Sequence, residues 1–300
     1  MRKICFVCVL LAGAGWAQDY RPPEDNRRTG VAIDQYIGKP ENSPTKISHE
    51  LIVARPILTA GDPHKPGAPG AVLEYHKEVS LGWLAGGNRT PEVKHDDQEY
   101  LYIEKGKGRL ESGDKFWPLE PGIGALIPPG AAHAIANGTD DPLVLLILID
   151  NLQPNAAPRK DILARNVRQL PIAEKNAHWS YQARLLFGPQ DGINPESKIL
   201  IVTMDAMSIG SPHTHPPHWE EVWCKLPPES SYALLGSEVR AQKPNECFLV
   251  PPNGKTVHSV VNFSDKPMDW FYFGRYTHEV KYPEWVYQAP AVPAQMIRRQ

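Results

Sequence analysis

The sequence predicts an all-β protein made of two similar barrels or sandwiches, and three observations predict it. First, TPEVKHDDQEYLYIEKGKG, GRLESGDKFWPLEPG, IGALIPPGAAHAIANG and PLVLLILID each hold a short apolar run closed by Gly, Pro, Asn or Asp. That is the punctuation of antiparallel strands joined by tight turns. Second, the chain carries 31 prolines and 23 glycines, which favour turns over long helices. Third, the two halves resemble each other. LIPPGAAHAIAN matches LVPPNGKTVHSVVN with one extra residue before the histidine, and His95 to His215 is a shift of 120 positions where His133 to His258 is one of 125. A near-constant offset argues for internal duplication.

The elements follow in order. MRKICFVCVLLAGAGWAQ begins with Arg2 and Lys3, continues apolar and offers Gly15-Trp16-Ala17 as a small-x-small cleavage site. It reads as a signal peptide over 1–17, too short to span a membrane, so export is expected without an anchor. Residues 18–50 are polar and proline-rich and read as an extended arm, laid over the body or over a partner subunit in a homodimer. Residues 51–155 form the first barrel and 176–278 the second. Between them, over 156–175, Ile162, Leu163, Val167 and Leu170 repeat at helical spacing behind Asp161, a candidate N-cap. A short linker helix is expected there. The tail, 279–300, is rich in Pro and Trp.

Lys+Arg number 32 and Asp+Glu 34, with no block of like charge. This disfavours a nucleic-acid partner or an anionic membrane surface, since both select a basic patch. Cys5 and Cys8 fall in the signal, so the mature chain keeps Cys224 and Cys247, read equally as a disulfide or as two buried thiols. No phosphate loop, G-x-S-x-G elbow or CxxC pair occurs.

HTHPPHWEEVW, residues 213–223, sets three of the chain's 11 histidines beside paired carboxylates. Either a metal is held here or this is an unusually polar loop. Elsewhere Gly122, Pro128, Gly130, His133 and Asn137 follow the spacing G-x5-P-x-G-x2-H-x3-N, and Gly87, His95, Glu99 and Gly106 follow most of G-x5-H-x-H-x3-E-x6-G, with Val93 where the first histidine belongs. These residues resemble the two motifs of the cupin superfamily, over roughly 72–150 and again over 198–275. In the second half His213, His215, Glu221 and His258 supply all four ligand types at looser spacing. The resemblance implies a bicupin: two cupin-type, jelly-roll β-barrels.

The physics agrees with that pattern. Side chains two apart on a strand share a face, so His213 and His215 can both point into a barrel. Three imidazoles and a carboxylate suit a divalent transition metal, Mn, Fe, Ni, Cu or Zn, without choosing among them. Glu221 is favoured over Glu220 as ligand because it directly precedes the strand VWCKL, as Glu99 precedes YLYIEKG. Glu220 then points elsewhere, or serves as an acid–base group if the strand is bulged. His218 has three readings: replacement ligand, proton shuttle, or cap of the Pro216-Pro217 turn. In the first half, His95, Glu99 and His133 make either a two-histidine, one-carboxylate site or the remains of one, with Asp96, Asp97 and Gln98 as substitutes for the lost histidine. Trp219, Trp223, Trp270, Phe271, Tyr272 and Phe273 fill or line the second barrel. His49, His64, His76, His178 and His278 lie outside both motifs.

One barrel type hosts many chemistries. By resemblance, bicupins imply oxygen-dependent cleavage of aromatic or flavonol-like substrates, or oxalate-type decarboxylation. The leading expectation is an exported, metal-dependent enzyme for a small organic substrate, working in the second barrel. The rivals are a non-catalytic bicupin that binds a sugar or other small ligand, and a metal-free structural β-sandwich.

Overall fold

The computed structural model of the protein describes residues 32–175 and 178–276. The expected signal peptide, the arm up to residue 31 and the tail from 277 lie outside the described residues.

The strands pair as two barrels, each a large sheet facing a small one. In the first, the large sheet runs 163–166, 123–127, 98–105, 143–150, 76–84, 52–60, 46–48, and the small one 134–136, 108–112, 115–119. In the second, the large sheet runs 37–38, 247–249, 220–225, 268–275, 197–204, 181–187, 174–175, and the small one 208–209, 258–262, 231–235, 238–242. The same order recurs in both halves, as the duplicated sequence predicts.

Each large sheet is buried on both sides. In strand Gln98–Lys105 the first six residues are buried, and strand Glu220–Lys225 is buried throughout. Alternate side chains face different neighbours. Leu101 and Ile103 fill their own barrel, whereas Tyr100 and Tyr102 reach across to the second. Tyr100 packs on Phe187 with centroids 5.9 Å apart, and Tyr102 on Phe271 at 5.6 Å. One apolar core therefore joins the barrels back to back. Phe271 and Phe273 belong to that shared core, and not to the interior of the second barrel; Trp219, Trp223, Trp270 and Tyr272 do fill that interior.

The segment preceding each barrel completes the other one. Ile37–Gly38 pairs with Cys247–Phe248 at the edge of the second barrel, and Leu163–Asn166 pairs with Ile123–Leu126 at the edge of the first. The arm is thus laid over the body of its own chain. Arg240 Nε donates to Asp34 Oδ1 at 2.8 Å and ties the arm down on the outside. Glycine is required at position 38, because a Cβ there would overlap the Ile57 carbonyl of the first barrel.

The linker departs from expectation. Its helix shrinks to the 3-10 turn Val167–Gln169, capped by Asn166, whose side chain accepts from the Arg168 N–H. Asp161 caps nothing and instead pairs with Lys115 at 3.1 Å. The helical spacing gave way because Leu163–Asn166 fills an open sheet edge, and ladder pairing outweighs intrinsic propensity. Cys224 and Cys247 are joined as a cross-strand disulfide within the shared core.

Candidate metal centres

Four side chains converge in the first barrel. His49, His95, Glu99 and His133 each offer a ligand atom within 4.8 Å of the others. His95, Glu99 and His133 are the three expected from sequence, and His49 was not expected. His49 sits in the turn between strands 46–48 and 52–60, in the left-handed region with φ 48°. Its Nδ1 lies 2.8 Å from Ser48 Oγ and its Nε2 lies 3.2 Å from Glu99 Oε2. Asp96, Asp97 and Gln98 do not substitute: Asp97 pairs with Lys77, and Gln98 Nε2 donates to Tyr100 Oη at 2.5 Å.

The backbone shows why a residue from elsewhere is recruited. Val93 exchanges two hydrogen bonds with His133, at 2.8 and 3.0 Å, as His213 does with His258 at 3.3 and 2.9 Å. Val93 therefore occupies the position of His213, and its side chain has no donor to offer. His49 completes the shell from the hairpin between strands 46–48 and 52–60.

In the second barrel His213, His215 and His258 come together within the same 4.8 Å limit. Glu221 touches two of them: its carboxylate meets His215 Nε2, and its Oε1 lies 3.1 Å from His258 Nε2. Both oxygens also accept indole hydrogen bonds, from Trp219 Nε1 at 2.9 Å and Trp223 Nε1 at 2.6 Å. These hold one rotamer and complete the carboxylate's shell. A fourth imidazole, also missed, lies against the group: His178 stacks on His213 with centroids 4.0 Å apart and planes 8° from parallel.

Two expected acid–base groups are elsewhere. Glu220 points out of the second barrel into the seam between barrels, because the strand is not bulged and Glu221 takes the inner face. Its carboxylate accepts the backbone N–H groups of Glu74, Tyr75 and His76 at 2.5, 2.9 and 3.1 Å, and faces His76 Nδ1 at 2.5 Å. Beside this pair Arg275 Nη1 donates to Asp150 Oδ1 at 2.6 Å. His218 joins a separate, exposed group with His64 and Glu74. Its φ of 69° is held by its N–H bond to the Pro252 carbonyl and by the Tyr75 hydroxyl, which donates to its own carbonyl.

The electrostatics fit a cation at both centres. Burial pushes the Glu99 carboxyl up, but the charge and hydrogen bond of His49, with His95 and His133 behind them, outweigh it and hold it low. At Glu221 burial is likewise overcome, by His215 and His258. Burial holds His133 below the usual histidine range, His213 down to about 3 and His178 down to about 4, so these imidazoles stay neutral and keep a lone pair. His133 Nδ1 donates to the Ala131 carbonyl at 3.0 Å, and His213 Nδ1 to the Ser211 carbonyl at 2.8 Å. The free nitrogen of each ring, Nε2, is then the one available to a metal, the outer-shell arrangement that orients metal-bound histidines. Buried His133 Nε2 and Glu99 Oε1 in the first barrel, and His258 Nδ1 in the second, make no hydrogen bond. Such unmet donors and acceptors are costly to bury unless something occupies the centre. Mixed imidazole–carboxylate sets of this kind suit first-row divalent metals.

Residues 83–149 match the family model of the cupin domain. A comparison with curated protein sequences returns no significant match. Among solved structures the chain is similar to protein Ylba from E. coli (TM-score 0.62, 12% identity, covering 89% of this chain and 100% of that one). It is similar also to AerE from Microcystis aeruginosa (0.60, 11%, 81% and 100%). A third is oxalate decarboxylase from Bacillus subtilis at pH 4.6 (0.61, 11%, 82% and 77%). At such identities the likeness is one of fold. The first barrel thus carries a cupin domain, and with motif residues from both halves gathered in matching barrels the chain has a two-barrel, cupin-type fold.

Proposed function

We propose that the protein is a metal-dependent bicupin enzyme acting on a small oxygen-rich organic substrate, with a metal in each barrel. The observation that carries this reading is the completed first-barrel set, His49, His95, Glu99 and His133, with buried ligand atoms that no protein group satisfies. His95 in the first group, and His213 and His215 in the second, are partly exposed, His95 and His215 at 32% and 27% of their side chains, and we take this side as the one from which substrate reaches each centre. A bound divalent metal would supply Lewis acidity to a carboxylate or carbonyl and, with Mn, Fe or Cu, the means to engage dioxygen. The chain's own part is to hold the donors. Glu221 is fixed by two indoles and His133 by a backbone carbonyl, so neither reorganises when substrate enters.

Decarboxylation of a small dicarboxylate is the favoured reaction, by analogy with one structural neighbour, the oxalate decarboxylase. Oxygen-dependent cleavage is the second. A panel of oxalate, other short dicarboxylates and flavonols, given to the metal-reconstituted protein, decides by carbon dioxide release or oxygen uptake. Silence toward the whole panel, with one or two metals bound, would turn the reading to a non-catalytic binding bicupin.

Export is part of the proposal. The N-terminal signal-like segment and the Cys224–Cys247 disulfide support it, since such bonds persist in oxidising compartments. N-terminal sequencing of the expressed protein tests it: a start near Gln18 is expected, and an intact Met1 would rule it out.

A further inference from the structure

At their junction the two barrels and the linker form a pocket of about 320 Å³, open on one side where Arg168 is exposed, and lined by none of the residues of the two metal centres. Its polar wall comes from all three parts of the chain: Glu104 from the first barrel, Arg168 from the linker turn, and Arg184, Thr203 and Asp269 from the second barrel.

Arg184 is the telling residue. It is half-buried on strand Tyr181–Phe187, its Nε is fully enclosed, and its guanidinium makes neither a hydrogen bond nor an ion pair with any described residue. The other half-buried or buried arginines of this region do find carboxylates: Arg165 pairs with Asp191, and Arg275 with Asp150. Arg168 uses only its backbone N–H, toward Asn166, and leaves its guanidinium free. Enclosing a guanidinium nitrogen without a partner is unfavourable.

The two carboxyl groups nearby do not neutralise this pair. Asp269 accepts from Thr203 Oγ1 at 2.6 Å. The Asn245 amide lies against both Glu104 oxygens, at 2.7 and 2.9 Å, and with its nitrogen turned inward, the orientation that satisfies both groups, it donates to them. Burial pushes the Glu104 carboxyl up to about 8, so near neutral pH it is uncharged and offers a proton. Two guanidiniums then face one carboxylate, and the cavity is positive. Its volume admits a molecule of a few heavy atoms. A guanidinium fork matches a carboxylate with two parallel hydrogen bonds.

We propose that this inter-barrel cavity is a ligand site separate from both metal centres, binding a small carboxylate anion on Arg184 and Arg168. Because its wall draws on both barrels and the linker, the bound anion fastens the barrels to each other. The site stands apart from the reading of the metal centres and from whatever reaction they perform.

Isothermal titration of the metal-loaded full-length protein with succinate tests it, with inorganic phosphate as the competing anion class. One equivalent of succinate is expected to bind with Kd between about 10 µM and about 1 mM. Arg184→Gln and Arg168→Gln each weaken it by about tenfold or more, the usual effect of losing a charge-assisted bond. Arg184→Lys, which keeps the charge and packing stem but loses the fork, gives an intermediate loss and guards against a folding artefact. Any further succinate held at the metal centres is lost from the metal-free protein, whereas the equivalent on Arg184 and Arg168 is retained there. The proposal is overturned by any of four results: no binding at about 20 mM, equal binding by Arg184→Gln, loss of binding on metal removal, or tighter binding of phosphate with the same arginine dependence.

Discussion

His49 and His178 hold the same place in the two barrels. Each lies just before the first long strand of its large sheet, 52–60 or 181–187, after a short strand that pairs with it. Each points its ring at the metal-ligand histidines: His49 is 4.9 Å from His95, and His178 is 4.0 Å from His213. In the second barrel this histidine is additional, because His213 is present. In the first it replaces the donor that Val93 lacks.

The two should therefore respond differently to removal. His49→Ala is expected to lose most of the first-barrel metal, and His178→Ala to keep the second-barrel metal with affinity lowered by about tenfold or less, as for an outer-shell group. Plasma mass spectrometry on each variant in a His215→Ala or His95→Ala background assigns the loss to one barrel. Equal retention by His49→Ala would make Val93 a true gap and the first centre a three-ligand site. The exposed His64, Glu74 and His218 group is a source of extra, weak metal, so counts are taken after dialysis against a mild chelator.

Metal-free protein should lose stability in acid, for a reason that fixes the sign. His213 and His178 titrate near 3 and 4 when folded, and His133 is also lowered, whereas unfolded histidine titrates near 6.5. Between those values the unfolded chain binds more protons at these three imidazoles, so stability falls as pH falls, a trend that Glu104 and His95, both raised in the fold, partly offset near neutrality. Glu99 and Glu221, depressed in the fold, add to the loss in the lower part of that range. Thermal melts between about pH 7 and about pH 4 are expected to show a steady decline in Tm, less steep in His178→Asn. A flat profile would mean that these imidazoles are solvated in the metal-free protein.

Much of this was legible in the sequence, and the exceptions have physical causes. The barrels follow from strand punctuation and duplication, both local signals. His133 and His258 follow from fixed spacing to a turn. His49 and His178 carry no such spacing, because they reach the centres from a separate hairpin and only the closed barrel brings them near. Their separation of 129 positions, beside 120 for His95 and His215, was the available hint. The linker helix was misjudged because periodicity over 162–170 cannot report an empty sheet edge 40 residues upstream at Ile123–Ile127. Glu220 was placed by alternation alone, which already put it opposite Glu221.

Glu220 makes its own prediction. Its buried carboxylate serves three backbone N–H groups and His76, so Glu220→Ala leaves several groups unpaired and should destabilise the protein by about 3–5 kcal/mol. Metal content in both barrels should stay unchanged once the protein is folded. Urea denaturation and metal analysis on the same sample check both halves. A variant of near-native stability that had lost second-barrel metal would return Glu220 to the site.

The disulfide supplies the last prediction, and it bears on the shape of the second centre. Cys224 and Cys247 are 23 residues apart and join strand 220–225 to strand 247–249, the pair of strands that carries Glu221 and leads toward His258. Closing a loop of that length stabilises the fold by about 3 kcal/mol in the chain-entropy picture. Cys224→Ala with Cys247→Ala is expected to lower stability by about that amount, and a reductant to do the same to the wild type but not to the variant. Because both sulfurs lie in the shared core, away from Glu221, second-barrel metal should survive the change. If metal is lost while the fold persists, the crosslink positions the strand that carries Glu221, and its role is to shape the centre as well as to stabilise the fold.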